Sequence, residues 1–267
     1  MIRKINTILV LTISIIILSG CATVPETHEK IVTEKTANFG VDEYSPFLNT
    51  WPEGSTPVFL GTSKRMINRE DELTAALMTA GFRASIYNSV RGLSKAYTEQ
   101  SSSGSGRQAD FQMKFDESSA MSIAGNMEVI SELQDSKGTY LLARYKDGAS
   151  INLPPKISLN LNPSSWINNT PRIPGYIVSV GTTRQLRHPS DSITAADKRA
   201  LEEMVKSISL EISEQKNTIN TQSGSASVKS TLEIADATIQ GFYIIARYVT
   251  PDGKNYYSLG VAPLNKN

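Results

Sequence analysis

The chain has one cysteine, Cys21, and two histidines, His28 and His188. These are few for the residue types most used in metal binding and nucleophilic chemistry. One cysteine cannot close an intrachain disulfide, and neither histidine has a partner at ligand spacing. Both histidines read as solvated loop residues, His28 in a polar N-terminal stretch and His188 in an Arg-His-Pro loop. No metal and no cofactor is expected. A charge excess is also missing, since 27 Lys and Arg stand against 26 Asp and Glu. With no basic surplus to neutralise phosphates, nucleic acid is not an expected partner. Aromatic residues are 7% of the chain and form no clustered stacking platform. Gly104-Ser105-Gly106 is neither a nucleophile elbow nor a phosphate loop, because no helix start or lysine follows it. The acids of Glu70-Asp71-Glu72 and Glu202-Glu203 suit a helix first turn and a wet helix face. No catalytic residue is assigned, and the expectation is a protein that is not an enzyme.

What the chain does have stands at its start. Met1–Cys21 carries a basic head, Arg3-Lys4, then a mostly apolar stretch from Ile5 to Leu18, then Ser19-Gly20-Cys21. A short apolar core behind a basic head and ahead of small residues is the pattern of a secretory signal; it is too short for a stable membrane span. Leu18-Ser19-Gly20-Cys21 resembles the lipobox of bacterial lipoproteins. The resemblance implies diacylglycerol transfer to the Cys21 thiol, cleavage between Gly20 and Cys21, and acylation, as by palmitate, of the new amino group. The alternative is an ordinary signal peptide with an incidental cysteine. Removing residues 1–20 takes Arg3 and Lys4 and leaves 25 basic against 26 acidic residues, a near-neutral mature chain. In such lipoproteins an Asp after the cysteine is the usual inner-membrane retention signal. Ala22 in its place implies the outer membrane, periplasmic face, rather than the inner membrane or the cell surface.

Residues 21–50 are polar and read as a flexible tether. The folded part is expected from Trp51. Val58-Phe59-Leu60-Gly61 suits a buried strand, and Asn68 a helix N-cap ahead of a stripe of Leu73, Ala76, Leu77, Ala80, Ala84 and Tyr87. Gln100–Gly106 reads as a flexible break. Strands are then expected around Phe111–Phe115, near Ala120–Leu133, and at Thr139–Tyr145 after the Asp135–Gly138 turn. Residues 147–165 read as a linker. The second half runs the same programme: a strand at Tyr176–Gly181, then a helix capped by Ser190 or Ser192. The helix stripe includes Ile193, Ala196, Ala200, Leu201 and Met204, with Glu202 and Lys206 paired at i,i+4. Strands at Val228–Ile234, Phe242–Val249 and Tyr256–Val261 follow, the last two joined by Pro251-Asp252-Gly253. The expectation is an α+β protein of two tandem β-α-β-β-β units, residues 51–146 and 166–267, each with one helix on a mostly antiparallel sheet.

Aligning the halves needs a register. Tyr140–Tyr145 resembles Tyr243–Tyr248, but Arg83-Ala84 against Arg199-Ala200 and Tyr140 against Tyr256 share a different offset, which is preferred. Gly61-Thr62 against Gly181-Thr182 lies four residues beyond it. In that register each half has a strand ending in Gly, a helix with Arg-Ala, an Ile-x-Gly turn and a last strand opening on Tyr. This resembles the Lpp-twenty lipoprotein family and related flagellar accessory and outer-membrane assembly lipoproteins. Gly81-Phe82 and Ser85-Ile86 depart from that family's helix pattern, whereas Leu201 keeps it. The resemblance implies a lipid-anchored envelope protein with a structural or assembly role, working through other envelope proteins or self-association, accessory to a flagellar or other apparatus. The alternative is a binding lipoprotein for a small molecule, peptide or polysaccharide, which a deep apolar pocket between the halves would favour. Arg83 and Arg199 are expected as packed stems with local salt bridges, and Tyr256–Val261 as an exposed edge strand open to partners.

Overall fold

A computed structural model describes residues 45–48, 50, 56–101, 104–146, 162–216 and 229–264. Gly20, Cys21 and His28 lie outside them, as do Trp51 and Val228.

Asn68 begins the first long helix by accepting the Glu70 amide at 3.0 Å, and Glu70, Asp71 and Glu72 occupy its first turn, where they complement the dipole. Local rules of this kind give an α+β chain. In order it forms α1 (Ser45–Leu48), β1 (Val58–Lys64), α2 (Arg69–Asn88), β2 (Val90–Ser101), β3 (Gly104–Lys114), α3 (Glu117–Gly125), β4 (Met127–Gln134) and β5 (Gly138–Tyr145). Then come α4 (Pro163–Trp166), β6 (Tyr176–Arg184), α5 (Pro189–Lys216), β7 (Lys229–Ile239), β8 (Tyr243–Val249) and β9 (Asn255–Pro263). The described strands make three antiparallel sheets, β1-β5-β4, β6-β9-β8 and β3-β2-β7.

The first two sheets are the repeat. In each, the first strand and the last two pair in the same order, and β4 and β8 carry matching irregularities, at Val129/Ser131 and Ile244/Ala246. Gly61 and Gly181 occupy the same place: a Cβ on either would strike the backbone of its helix, at Ala76 and Ala196. The helices therefore align Ala76 with Ala196 and Ala80 with Ala200, one turn away from the Arg83–Arg199 match. Arg83 falls opposite Glu203. Across the ladders Tyr140 faces Thr62, and the residue facing Thr182 is Tyr257 rather than Tyr256. The glycine match was the true register, because helix-to-sheet contact, not a recurring dipeptide, sets it.

Four other expectations are corrected. Phe47, inside the expected tether, is buried with Leu60, Tyr140, Val249 and Tyr256, so ordered structure starts before Trp51. The expected strand near Ala120 begins as α3: Asp116 accepts the Ser118 and Ser119 amides at 3.0 and 3.1 Å, and Ala120 and Ala124 press on Gly81. Ser190 and Ser192 lie inside α5, which starts at Pro189. Finally, β9 is the central strand of its sheet. Its run of uncharged residues is buried on both faces, and it offers no edge.

The third strand of each expected unit leaves its own sheet. β2 and β3 form a hairpin whose ladder runs from Arg91 opposite Lys114 to Ser101 opposite Gly104, through the expected flexible break. β7, from the second half, pairs along the other side of β2 from Val90–Ile239 to Gln100–Lys229. Helix α5 covers this shared sheet as well as its own: Val205 and Leu201 pack in one cluster with Val90, Phe111, Ile239 and Phe242. Gly92 is required there, since a Cβ would meet the Val205 side chain.

Candidate functional site: a cleft between the repeats

Arg83 on α2 and Asp197 on α5 place opposite charges on facing helices. Asp197 sits one turn before Leu201 and one after Ile193, a carboxylate in an otherwise apolar stripe. Arg247 sits in β8 between apolar neighbours. Arg83 donates from Nε to Asp197 Oδ2 at 2.9 Å and from Nη1 to the Leu60 carbonyl at 2.8 Å. Arg247 forks onto the same carboxylate, Nε to Oδ1 and Nη2 to Oδ2, both 2.9 Å. Ser258 on β9 donates to Oδ1 at 2.7 Å. The three charged side chains are only 12%, 12% and 3% exposed for Arg83, Asp197 and Arg247.

Burial pushes the Asp197 carboxyl up, but Arg247 and Arg83, with the Ser258 bond, outweigh it and hold it below the ordinary carboxylate value. Burial lowers the Arg83 guanidinium, with Asp197 acting against it; an arginine stays charged regardless. Two guanidinium groups on one carboxylate leave a net positive charge in a poorly solvated place.

This triad lines part of a cleft of about 150 Å³. Its walls are apolar and come from both halves, with Phe82, Ile86, Met113, Phe115, Leu201 and Phe242 among them. Phe82 and Phe115 meet edge to face at 5.8 Å. Beside the cleft the Tyr243 hydroxyl donates to the Thr50 carbonyl at 2.5 Å and accepts from the Val58 amide at 3.1 Å. Burial pushes that phenol far up, so it stays protonated. Thr50 donates to the Ile244 carbonyl and accepts from Arg247 Nη1 at 3.3 Å. Side chains thus take up the Val58 amide and Leu60 carbonyl of β1 and the Ile244 carbonyl of β8.

Of the charged residues singled out by sequence, only Arg83 reaches this site. Its partner is a long-range one, not the local bridge expected. Arg199 is 58% exposed and does bind locally, to Glu202 at 2.6 Å. The expected Glu202–Lys206 pair forms at 2.8 Å, but Glu202 is only 2% exposed, so its face is not wet. Glu72 likewise is buried, taking the Met66 amide at 2.9 Å, Thr139 at 2.7 Å and Arg65 at 3.2 Å, with Arg69 paired as well. His188 is half-buried in its loop, and its carbonyl accepts the Asp191 amide at 3.1 Å. Asp197 and Arg247 escaped sequence reading. The signal was present: each is a lone charge inside an apolar periodic run.

Among the described residues no three His, Cys, Asp or Glu side chains group closely enough to hold a metal ion. No described helix is long and apolar enough to cross a membrane. Compared with protein-family models, with curated proteins and with solved structures, the chain matches none.

Proposed function

We propose that this is a lipid-anchored envelope protein, held by Cys21 at the periplasmic face of the outer membrane, with a structural or assembly role and no catalysis. The lipobox-like Leu18–Cys21 supports the anchor. The observation that carries the assembly reading is the β3-β2-β7 sheet. Its strands are 12, 11 and 11 residues long, and among the described residues neither β3 nor β7 has a second neighbour. At about 3.4 Å per residue each outer strand presents roughly 35 Å of edge backbone. Such edges pair with another chain unless covered. Ile234 on β7 is 57% exposed. A photo-crosslinker at position 234 is expected to trap another envelope protein or a second copy in intact cells. An unreactive probe, with a monomeric purified protein, overturns the reading.

The cleft favours a second reading, a lipoprotein that binds a small molecule between its repeats. Ligand sites are concave and mostly apolar with few converging polar groups, which describes this one.

A further inference from the structure

The charge count of the buried triad goes one step beyond a generic pocket. Arg83 gives one hydrogen from each nitrogen, to Asp197, to the Leu60 carbonyl and, at 3.5 Å, to Thr194 Oγ1. Arg247 does the same with Asp197 twice and Thr50. Each guanidinium carries five N–H groups, so with respect to the described residues each keeps one spare N–H on Nη1 and one on Nη2. Among the described residues one positive charge of the triad is unmatched, and both side chains line the cleft. Lys198 lines it too, with Nζ 5.7 Å from the centre of the Phe111 ring. Among the described residues no other acid lines it, since Asp197 is already taken. An uncompensated buried charge is costly, and most of the surface the rest of the cleft exposes is apolar.

We propose that the cleft binds a small amphipathic carboxylate, its anionic head against the spare N–H groups of Arg83 and Arg247 and its apolar body among Phe82, Ile86, Met113 and Phe115. This rests on the binding reading and deepens it by naming the ligand's charge and size. The size follows from volume: an engineered apolar cavity of about 150 Å³ takes up benzene. The fitting acid is a benzoate or a short branched acyl acid. The preference for the anion follows from its charge, because a carboxylate can accept paired, charge-assisted bonds from guanidinium groups and a neutral hydroxyl cannot.

The experiment uses ligand-observed fluorine NMR on the full chain in lipid nanodiscs, with empty nanodiscs as blank. The probes are 4-fluorobenzoate, 4-fluorobenzyl alcohol and 4-fluorobenzylamine. The expected result is benzoate binding about tenfold tighter than the alcohol, with the amine weakest. Arg83→Met should erase that preference while the alcohol still binds. Ile86→Phe, which leaves the triad intact and narrows the cleft, should weaken both. Equal binding of benzoate and alcohol by the wild-type chain would leave the binding reading standing and overturn the carboxylate assignment. Tighter amine binding overturns it as well. If no probe binds above the blank, the binding reading itself fails.

Discussion

Glu72 and Ser192 hold the same station in the two repeats. Each is a buried side chain in the first turn of its helix, and each accepts the amide of the residue six positions earlier, Met66 or Leu186, at 2.9 Å. One repeat does this with a carboxylate and the other with a hydroxyl. Only Glu72 therefore needs Arg65 and Arg69 beside it. Ser192→Ala should cost about 1 kcal/mol, like the loss of a helix cap. Glu72→Ser, which can keep the amide but strands two arginines and Thr139, should cost more. Urea unfolding of the two variants orders them.

Asp197 should be the most sensitive single position in the buried network. Asp197→Asn leaves Arg83 and Arg247 without a counter-charge and is expected to cost about 3–5 kcal/mol. Replacing all three charges together by Met, Leu and Met should return most of that stability, measured by denaturant midpoint.

Acid should reveal the same carboxylate. Its folded value lies below that of the unfolded chain, whose ordinary value is about 3.9. The stabilisation is then complete above about pH 5 and is lost as pH falls through the lower folded value. Glu72 and Glu202 are shifted the same way. The triple variant should lose stability less steeply than wild type between about pH 5 and 2.

Gly61 and Gly125 should respond in opposite ways to alanine. A methyl at Gly61 strikes the Ala76 backbone and the Leu141 side chain, whereas at Gly125 nothing lies within 4 Å. Gly61→Ala should cost at least about 1–3 kcal/mol by overpacking, and Gly125→Ala should be neutral or gain up to about 1 kcal/mol. Thermal melts of both report the difference.

Cys21→Ser should move the protein into the soluble periplasmic fraction and abolish labelling by a fatty-acid analogue. A single acyl chain binds membranes only marginally, so several are needed for a firm hold. Label that persists in the variant would rule out Cys21 as the anchor.

The elements that could be read from sequence were those where one local rule dominates. The α2 cap at Asn68, the alanine stripe, the Pro251–Gly253 turn and the buried strand at Val58 all follow from spacing and turn chemistry. What could not be read depends on contacts far apart in sequence. β2 is too polar for its period to stand out, and its pairing with β7 comes from the other half of the chain. The Arg83–Asp197–Arg247 cluster joins two helices and a strand, so no window of sequence contains it. Tyr256–Val261 misled because an uncharged strand can be either an open edge or a covered centre. Composition is the same in both cases.

The mixed origin of the β3-β2-β7 sheet bears on what a protease could do to this molecule. Two beads on a string part when the string is cut. Here a nick between Lys146 and Asn162 would leave β2 still laddered to β7 along its length, and Arg83 still bound to Asp197. The fragments would remain together as one particle. Residues 34–146 and 162–267, made as separate chains in one cell, should find each other and assemble, while either alone would carry an unfinished sheet.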